Sequence, residues 1–394
     1  MNHPHRKHSI VSRSVPLLVL AMAGCQVPPA TVTADPPAQL PTTAEDWRSQ
    51  TIYRGDSGVW YARVAQVVDD YAPAEIIAAD DRGRFLVLTV YSGNWTAHSC
   101  IADGQWLAPS RPADVDPRAP GRELYAAGQA GSIHQVLLRP QPFARFTLES
   151  REIGHVPGEE FHAVLAADLL PDEGDELLAF AISGPVYRVR HVGDGGYAVD
   201  HVADVEGRVR DALATKLPGS DHVTLLGVSR RGDLLAMRLE ANGLLWNVVL
   251  HEDQGLGRIA ASPQPGVYYV TRDDGVLLRV AFAADGSVVR EPILVTDQGL
   301  RGVAAGRFFA DGREAVAVYG YNKKVQLVSR PEGGEWTVED IYIGTQQGHW
   351  LTIGELDGRN GTDELVATGF DGEIVLLSRP MGYGLQGVAV SKDG

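Results

Sequence analysis

The sequence predicts an all-β protein, a seven-bladed β-propeller of four-stranded antiparallel blades. Three observations predict this fold. Short runs rich in Val, Leu, Ile and Tyr alternate with turns of Gly, Asp, Asn and Pro, and no stretch after residue 44 shows a helical period. Similar units recur 44 to 54 residues apart. Most units contain four strand-like runs, as a propeller blade does.

The repeat is counted with two independent anchors, and both give seven units. The first anchor is the residue that ends the first predicted strand of each unit: Gln66, Asp114, Asp168, Lys216, Pro263, Arg307 and Glu355. The second anchor is a tight turn before the third strand, where a left-handed backbone favours Gly or Asn. These turn residues are Gly83, Gly131, Gly184, Gly232, Gly275, Asn322 and Gly372.

The two ends of the chain are predicted to meet in the seventh blade. Residues 47–55 (WRSQTIYRG) copy the fourth-strand pattern of residues 336–344 (WTVEDIYIG), yet they lie before the first unit. We therefore expect an N-terminal strand to complete the seventh blade beside residues 374–378 and to close the ring. Residues 385–390 are the alternative source of that outer strand.

The N-terminus predicts export. Residues 1–24 combine basic residues with a short apolar run, and Met22-Ala23-Gly24-Cys25 resembles the bacterial lipobox, in which the cysteine is lipidated. A plain secretory signal is the alternative. Residues 25–43 form a tether rich in Pro and Thr, and residues 44–394 form the propeller. By resemblance to lipoprotein sorting, Gln26 favours the outer membrane or cell surface within a bacterial cell envelope.

Two acidic loops resemble a known repeat family. The runs beginning at Glu355 and Asp168 look like the D-x-D-x-D-G-x-x-D loops of FG-GAP or VCBS-type repeats, as in the integrin α-subunit propeller. In that family the loop binds Ca²⁺ through oxygen ligands. The resemblance implies a calcium site whose ligands are Glu355, Asp357, Asn360 and Asp363. The alternative is that these loops are solvated turns.

A ring of polar and aromatic residues is predicted at one mouth of the central channel. The residues six places before each first anchor are Trp60, Ala108, His162, Arg210, Gly257, Arg301 and His349. The first strand of a blade is innermost, so these side chains should converge, with Trp350 beside them. A cationic and aromatic ring suits an anionic or carbohydrate ligand, and protonation of a free histidine near pH 6.5 should strengthen that binding. The alternative is a water-filled channel lining.

Composition and motifs narrow the function classes. The formal net charge of −15 leaves no basic surface for nucleic acid. No nucleotide-binding, redox or nucleophile motif occurs in the sequence, which favours a non-catalytic monomer that binds a protein or carbohydrate and meets the membrane only through its lipid. The alternative is a carbohydrate-active enzyme, a polysaccharide lyase or sugar dehydratase. That enzyme would need a Tyr or Glu within hydrogen-bond reach of His162 and His349.

Overall fold

The structure is a computed structural model that describes residues 47–379, apart from 69–73, 92–93, 102–104, 117–122, 142–144, 172–173 and 357–361. The signal peptide, Cys25, the tether and the alternative closing strand at residues 385–390 lie outside this part of the chain. The described residues form seven four-stranded antiparallel sheets, which confirms the predicted all-β propeller of seven blades. The described residues contain no helix that is long and apolar enough to cross a membrane.

Each blade contributes one strand to each of four concentric positions. The innermost strands are β2 (Val59–Ala65), β6 (Leu107–Pro109), β10 (Phe161–Ala167), β14 (Val209–Lys216), β18 (Leu256–Ala261), β22 (Leu300–Ala305) and β26 (Gly348–Gly354). The second strands are β3 (Glu75–Asp80), β7 (Leu124–Gly128), β11 (Glu176–Ala181), β15 (Val223–Ser229), β19 (Val267–Arg272), β23 (Glu314–Gly320) and β27 (Glu364–Gly369). The third strands are β4 (Arg84–Tyr91), β8 (Ser132–Gln141), β12 (Pro185–Gly193), β16 (Asp233–Glu240), β20 (Val276–Phe282), β24 (Lys324–Arg330) and β28 (Glu373–Ser378). The outermost strands are β5 (Asn94–Ile101), β9 (Arg145–His155), β13 (Gly196–Asp204), β17 (Gly243–His251), β21 (Val288–Val295), β25 (Thr337–Ile343) and β1 (Arg48–Arg54).

The hydrophobic core lies between the blades. The second strands are apolar along most of their length because neighbouring blades cover both faces of each sheet, and every residue of β3, β7, β11 and β27 is buried. The innermost strands of adjacent blades pack against one another around the channel. The ring therefore holds its shape through contacts between blades, each of which presents one apolar face to each neighbour.

Ring closure follows the predicted route. Strand β1 pairs antiparallel with β28, from Arg48 opposite Ser378 to Arg54 opposite Glu373. The match between residues 47–55 and 336–344 extends to burial, since Ile52 and Tyr53 are buried as Ile341 and Tyr342 are in blade 6. The N-terminal copy of the fourth strand therefore completes blade 7.

One predicted turn residue is wrong by one position. Asn322 was expected to hold the left-handed conformation found at the glycine turns. In the structure Lys323 has that conformation, with φ +64°, and Gly83 holds the equivalent place in blade 1 with φ +71°. Asn322 instead accepts a hydrogen bond from the Lys324 amide through Oδ1, at 3.1 Å. This Asx-type contact shapes the turn without requiring a left-handed asparagine.

A glutamate at the start of the second strand caps the preceding loop in four blades. The Glu75 carboxylate accepts hydrogen bonds from the Val67 and Val68 amides at 2.8 and 3.3 Å. Glu123, Glu176 and Glu364 bond the corresponding loops of blades 2, 3 and 7. These bonds satisfy loop amides that strand pairing leaves free, which explains why so many units begin this strand with Glu-Leu or a similar pair.

The closing strand should tolerate changes only where it is exposed. Ile52→Ala removes a buried side chain from β1 and should lower the free energy of unfolding by about 2 to 4 kcal/mol. Gln50→Ala, an exposed change on the same strand, should alter it by less than about 0.5 kcal/mol. Urea unfolding of both variants measures the difference. Equal stability of the two would mean that β1 does not hold the ring closed.

Candidate functional site

The predicted ring residues are presented by a repeated β-bulge. In six blades the register between the innermost and second strands shifts near the start of the innermost strand. The residues at this shift include Trp60, His162, Arg210, Arg301 and His349. A bulge inserts one residue that the partner strand does not match, and it re-aims that side chain. Strand β6 of blade 2 pairs without a shift and carries Ala108 at this position.

A repeated backbone hydrogen bond shows that six of the seven ring positions are equivalent. The first amide of the turn between the second and third strands donates to the carbonyl two residues before the ring position. The pairs are Asp81 to Gly58, Gln129 to Trp106, Ile182 to Glu160, Arg230 to Arg208, Asp273 to Gly255 and Tyr321 to Gly299. These acceptor residues form a second ring, one step closer to the mouth of the channel.

Aromatic rings cover one side of the mouth. The Trp60 ring lies 4.6 Å from that of His349, and the Trp106 ring lies 5.4 Å from that of His162, measured between centroids. Trp60 and Trp106 are nearly parallel, with an interplanar angle of 15° at 6.4 Å. Phe370 packs against the edges of Trp60 and His349. The indoles are only half buried, so this side offers flat apolar surface at the mouth.

Tyr61 fills the space beneath these rings. Its side chain is buried, and its ring lies 6.2 Å from that of His162 and 6.3 Å from that of His349. Its hydroxyl donates to the His162 backbone carbonyl at 2.6 Å. Trp350 was predicted beside the mouth, but it is 4% exposed and packs under Tyr61 at 4.6 Å. It therefore belongs to the core that supports the site.

Two predicted arginines are held by an aspartate that the sequence did not single out. Arg210 Nη1 lies 2.7 and 2.9 Å from the two carboxylate oxygens of Asp273, and it also donates to the Leu256 carbonyl at 3.0 Å. Arg301 donates to the same carboxylate at 2.9 Å and to the Tyr321 hydroxyl at 2.7 Å. Both guanidinium groups thus share one negative charge.

Two further arginines add positive charge and form no ion pair with a described carboxylate, although the charge of Arg258 acts on buried Asp211. Arg258 is buried over the Trp350 ring at 4.8 Å and donates to two backbone carbonyls, and its Nε has no hydrogen-bond partner in the described structure. Arg208 is half buried, and its Nε is likewise unpartnered. Burial lowers the pKa of Arg208 to about 10, and the nearby charges of Arg210 and Arg258 act in the same direction.

Both ring histidines are neutral. Burial holds the pKa of His162 well below 6.5, and the charge of Arg208 lowers it further. Burial, and then the charge of Arg258, lowers the pKa of His349 in the same way. His349 donates from Nδ1 to the Trp60 carbonyl at 2.8 Å. Neither imidazole lies free in the channel, so the condition for stronger anion binding near pH 6.5 is not met.

The sequence did not predict Arg208, Trp106 or Asp273 as part of the site. The first two lie on the second ring, and Asp273 lies in the turn after β19. Arg208 and Trp106 are each two residues before a predicted ring position, and Asp273 begins a turn between two strands. The same repeat alignment, moved two residues toward the N-terminus, would have found Arg208 and Trp106. The pairing with Asp273 joins three blades and has no signal in sequence spacing.

The predicted calcium loop is only partly described. Asp357 and Asn360 lie outside the described residues. The Asp363 carboxylate accepts a hydrogen bond from the Arg307 amide at 2.7 Å, and the Asp363 amide donates to the Arg307 carbonyl at 3.0 Å. This pair of bonds joins blade 7 to blade 6. In the described part of the chain, which includes Glu355, no three His, Cys, Asp or Glu side chains are grouped so that they could hold a metal ion. Calcium binding stays a prediction.

Comparison with known proteins supports the fold alone. The chain is similar to the crystal structure of the WD40 β-propeller domain of Doa1, with a TM-score of 0.57 and 13% identity. The similarity covers 88% of this chain and 98% of that one. No family model and no curated protein matches the sequence. The propeller is shown, and the FG-GAP or VCBS type stays a prediction.

The neutral histidines predict a specific loss of stability in acid. Below about pH 6.5 an unfolded histidine binds a proton that buried His162 does not, so the unfolded state binds more protons and stability falls with pH. Replacing His162 with Gln should flatten this fall by up to about 1.4 kcal/mol per pH unit. Urea unfolding between pH 7.5 and 5.5 measures the slope.

Exposed His222 provides the control for this experiment, since His222→Gln removes a histidine whose side chain is in contact with water in the folded protein. Its slope should equal that of the parent. If His162→Gln also follows the parent slope, His162 protonates as freely in the folded protein as in the unfolded chain.

Proposed function

We propose that this chain is a lipid-anchored, non-catalytic propeller that binds an anionic ligand at the channel mouth. The observation that carries the proposal is the excess of positive charge there. Arg208, Arg210, Arg258 and Arg301 influence one another electrostatically, while Asp273 pairs with only two of them. The chain as a whole has a formal net charge of −15. A cationic centre on an acidic protein attracts anions to the channel mouth.

Arg208 is the group expected to contact the ligand. It lies on the outer of the two rings, it is half buried, and no hydrogen bond or ion pair joins its guanidinium to a described residue. Partial burial strengthens a charge-assisted hydrogen bond because less water competes for the donor. Arg210 and Arg301 are already paired with Asp273, so their role is to hold the mouth in shape and to keep it positive.

The aromatic side of the mouth favours an acidic saccharide. The half-buried Trp60 and Trp106 rings offer flat apolar surface on which the C–H face of a sugar ring can pack. Arg208, whose charge acts on His162 beside Trp106, can bind a carboxylate on that sugar. A uronic-acid oligosaccharide carries both features.

The histidine environment argues for binding rather than catalysis. The enzyme alternative requires a Tyr or Glu side chain hydrogen-bonded to His162 or His349. In the part of the chain that is described, the His349 imidazole bonds a backbone carbonyl, and Tyr61 bonds the carbonyl of His162 rather than its ring. Among the described residues, neither imidazole hydrogen-bonds a Tyr or Glu side chain of the kind that a lyase or dehydratase would use for proton transfer.

Anchoring completes the proposal. Lipidation at Cys25 would place the propeller on the surface of a membrane in a bacterial cell envelope, with residues 26–43 as the spacer. The Pro-rich composition of this spacer favours an extended chain. The binding face would then be displayed away from the lipid surface.

The contribution of Arg208 can be measured directly. Binding of uronic-acid oligosaccharides should weaken more than about tenfold in Arg208→Ala, because a charge-assisted hydrogen bond contributes about 1.5 to 3 kcal/mol. Arg139→Ala removes an exposed arginine from a third strand and should bind as the parent does. Calorimetric titration of the full chain gives both affinities, with neutral oligosaccharides of equal length for comparison. Unchanged affinity in Arg208→Ala would overturn the proposed site.

The anchor has its own test. Cys25→Ser should move the protein from the membrane fraction to the soluble fraction, since no other lipid-attachment signal occurs in the sequence. Fractionation and immunoblotting show the distribution. If the variant is processed normally and stays with the membrane, Cys25 is not the anchor.

A further inference from the structure

A second group of arginines lines a cleft at the opposite end of the inner strands, between blades 5 and 6. The cleft has a volume of about 770 Å³ and is formed by the loops after β18, β22 and β24. This volume is within the range of small-ligand pockets, which is about 300 to 1,000 Å³. The channel mouth lies where the inner strands begin, so the cleft is a separate surface.

Glu314 organises this cleft and departs from the role of its equivalents. It begins a second strand, as the loop-capping Glu75 and Glu364 do, but in the described structure its carboxylate bonds side chains instead of loop amides. Its carboxylate accepts hydrogen bonds from the Tyr269 hydroxyl at 2.6 Å, Arg279 Nε at 2.7 Å and Arg330 Nη2 at 2.8 Å. One glutamate thus holds an arginine from blade 5 beside an arginine from blade 6.

The two arginines are fixed in place but keep donors to spare. Each guanidinium has five N–H groups, and each spends one on Glu314. Arg330 also lies over the Trp336 ring at 4.3 Å, which fixes its plane. Their side chains are 15% and 25% exposed, so water competes only partly for the remaining donors.

The lining of the cleft contains more arginines than carboxylates. Four arginines and three carboxylates line it in all. Arg313 is paired with Asp311 in the same loop, and Glu332 is exposed. Arg307 is also exposed, and no hydrogen bond or ion pair links its guanidinium to another described side chain. Glu291, which does not line the cleft, lies 3.9 Å from Arg330 Nη1. Among the lining groups the four arginines exceed the three carboxylates by one positive charge.

We propose that this cleft binds a ligand carrying a phosphate- or sulfate-type oxyanion. Guanidinium groups approaching from two blades match the several acceptor oxygens of such a group. The cleft is larger than one oxyanion, so the remainder of the ligand would lie beside Pro263 and Pro331.

Calorimetric titration of the full chain at low ionic strength with inorganic phosphate, sulfate and acetate tests the proposal. Phosphate or sulfate should bind at least about tenfold more tightly than acetate, and the tighter of the two identifies the ester class. Arg307→Ala and Arg330→Lys should each weaken that binding about tenfold or more. Arg313→Ala, the matched control from the same loop, should bind within about twofold of the parent, and Arg208→Ala is titrated beside it to separate the cleft from the channel mouth.

Three results would overturn the proposal. If acetate binds as tightly as phosphate and sulfate, the cleft does not select a phosphate- or sulfate-type oxyanion. If Arg307→Ala and Arg330→Lys bind with unchanged affinity, the cleft is not the binding site. Loss of binding in Arg208→Ala alone places the anion at the channel mouth. Thermal unfolding of each variant identifies any that has lost its fold, and Arg307→Ala remains informative because its side chain is exposed and its backbone bonds to Asp363 are kept.

Discussion

Closure of the ring is the constraint on which the rest of the molecule depends. The pairing of β1 with β28 joins the two ends of the described chain and leaves blade 7 with its full set of four strands. Each blade buries its apolar faces only against its neighbours, so an open ring would expose two such faces. Closure also brings Trp60 and His349 into contact, although 289 residues separate them. The site is therefore a product of the ring and not of any single blade.

The fold could be predicted from the sequence because each repeat unit is one continuous stretch of the chain. Strand, turn and strand recur at nearly constant spacing, and residues 47–55 match residues 336–344 closely enough to predict which terminus closes the ring. The error at Asn322 shows the limit of residue preference. Asparagine tolerates a left-handed backbone, but the hydrogen bond geometry of the turn put that conformation on Lys323, where no preference predicts it.

The sequence could predict which residues lie on the ring, but not which side chains pair with one another. The repeat alignment placed His162, Arg210, Arg301 and His349 on one ring, and the bulge register bears out that they are equivalent. It could not show that Asp273 neutralises two arginines or that both histidines are buried. Charge pairing depends on distances between side chains from different blades, and burial depends on everything packed above them. For this reason the predicted ring included Arg210 and Arg301, whereas the group now proposed to contact the ligand is Arg208, which the alignment did not include.

A repeat protein usually has to pair its strands and present its variable side chains with the same residues. The bulge in the inner strands assigns these two tasks to different residues. A bulged residue has no counterpart on the neighbouring strand, so its side chain is released from cross-strand packing. Aromatic, basic and imidazole side chains occupy this position in different blades while the flanking pairs keep one register. Mutation there can exchange one recognition chemistry for another without a penalty in sheet pairing. The side chain at each ring position can consequently vary one blade at a time, from within the strand that carries it.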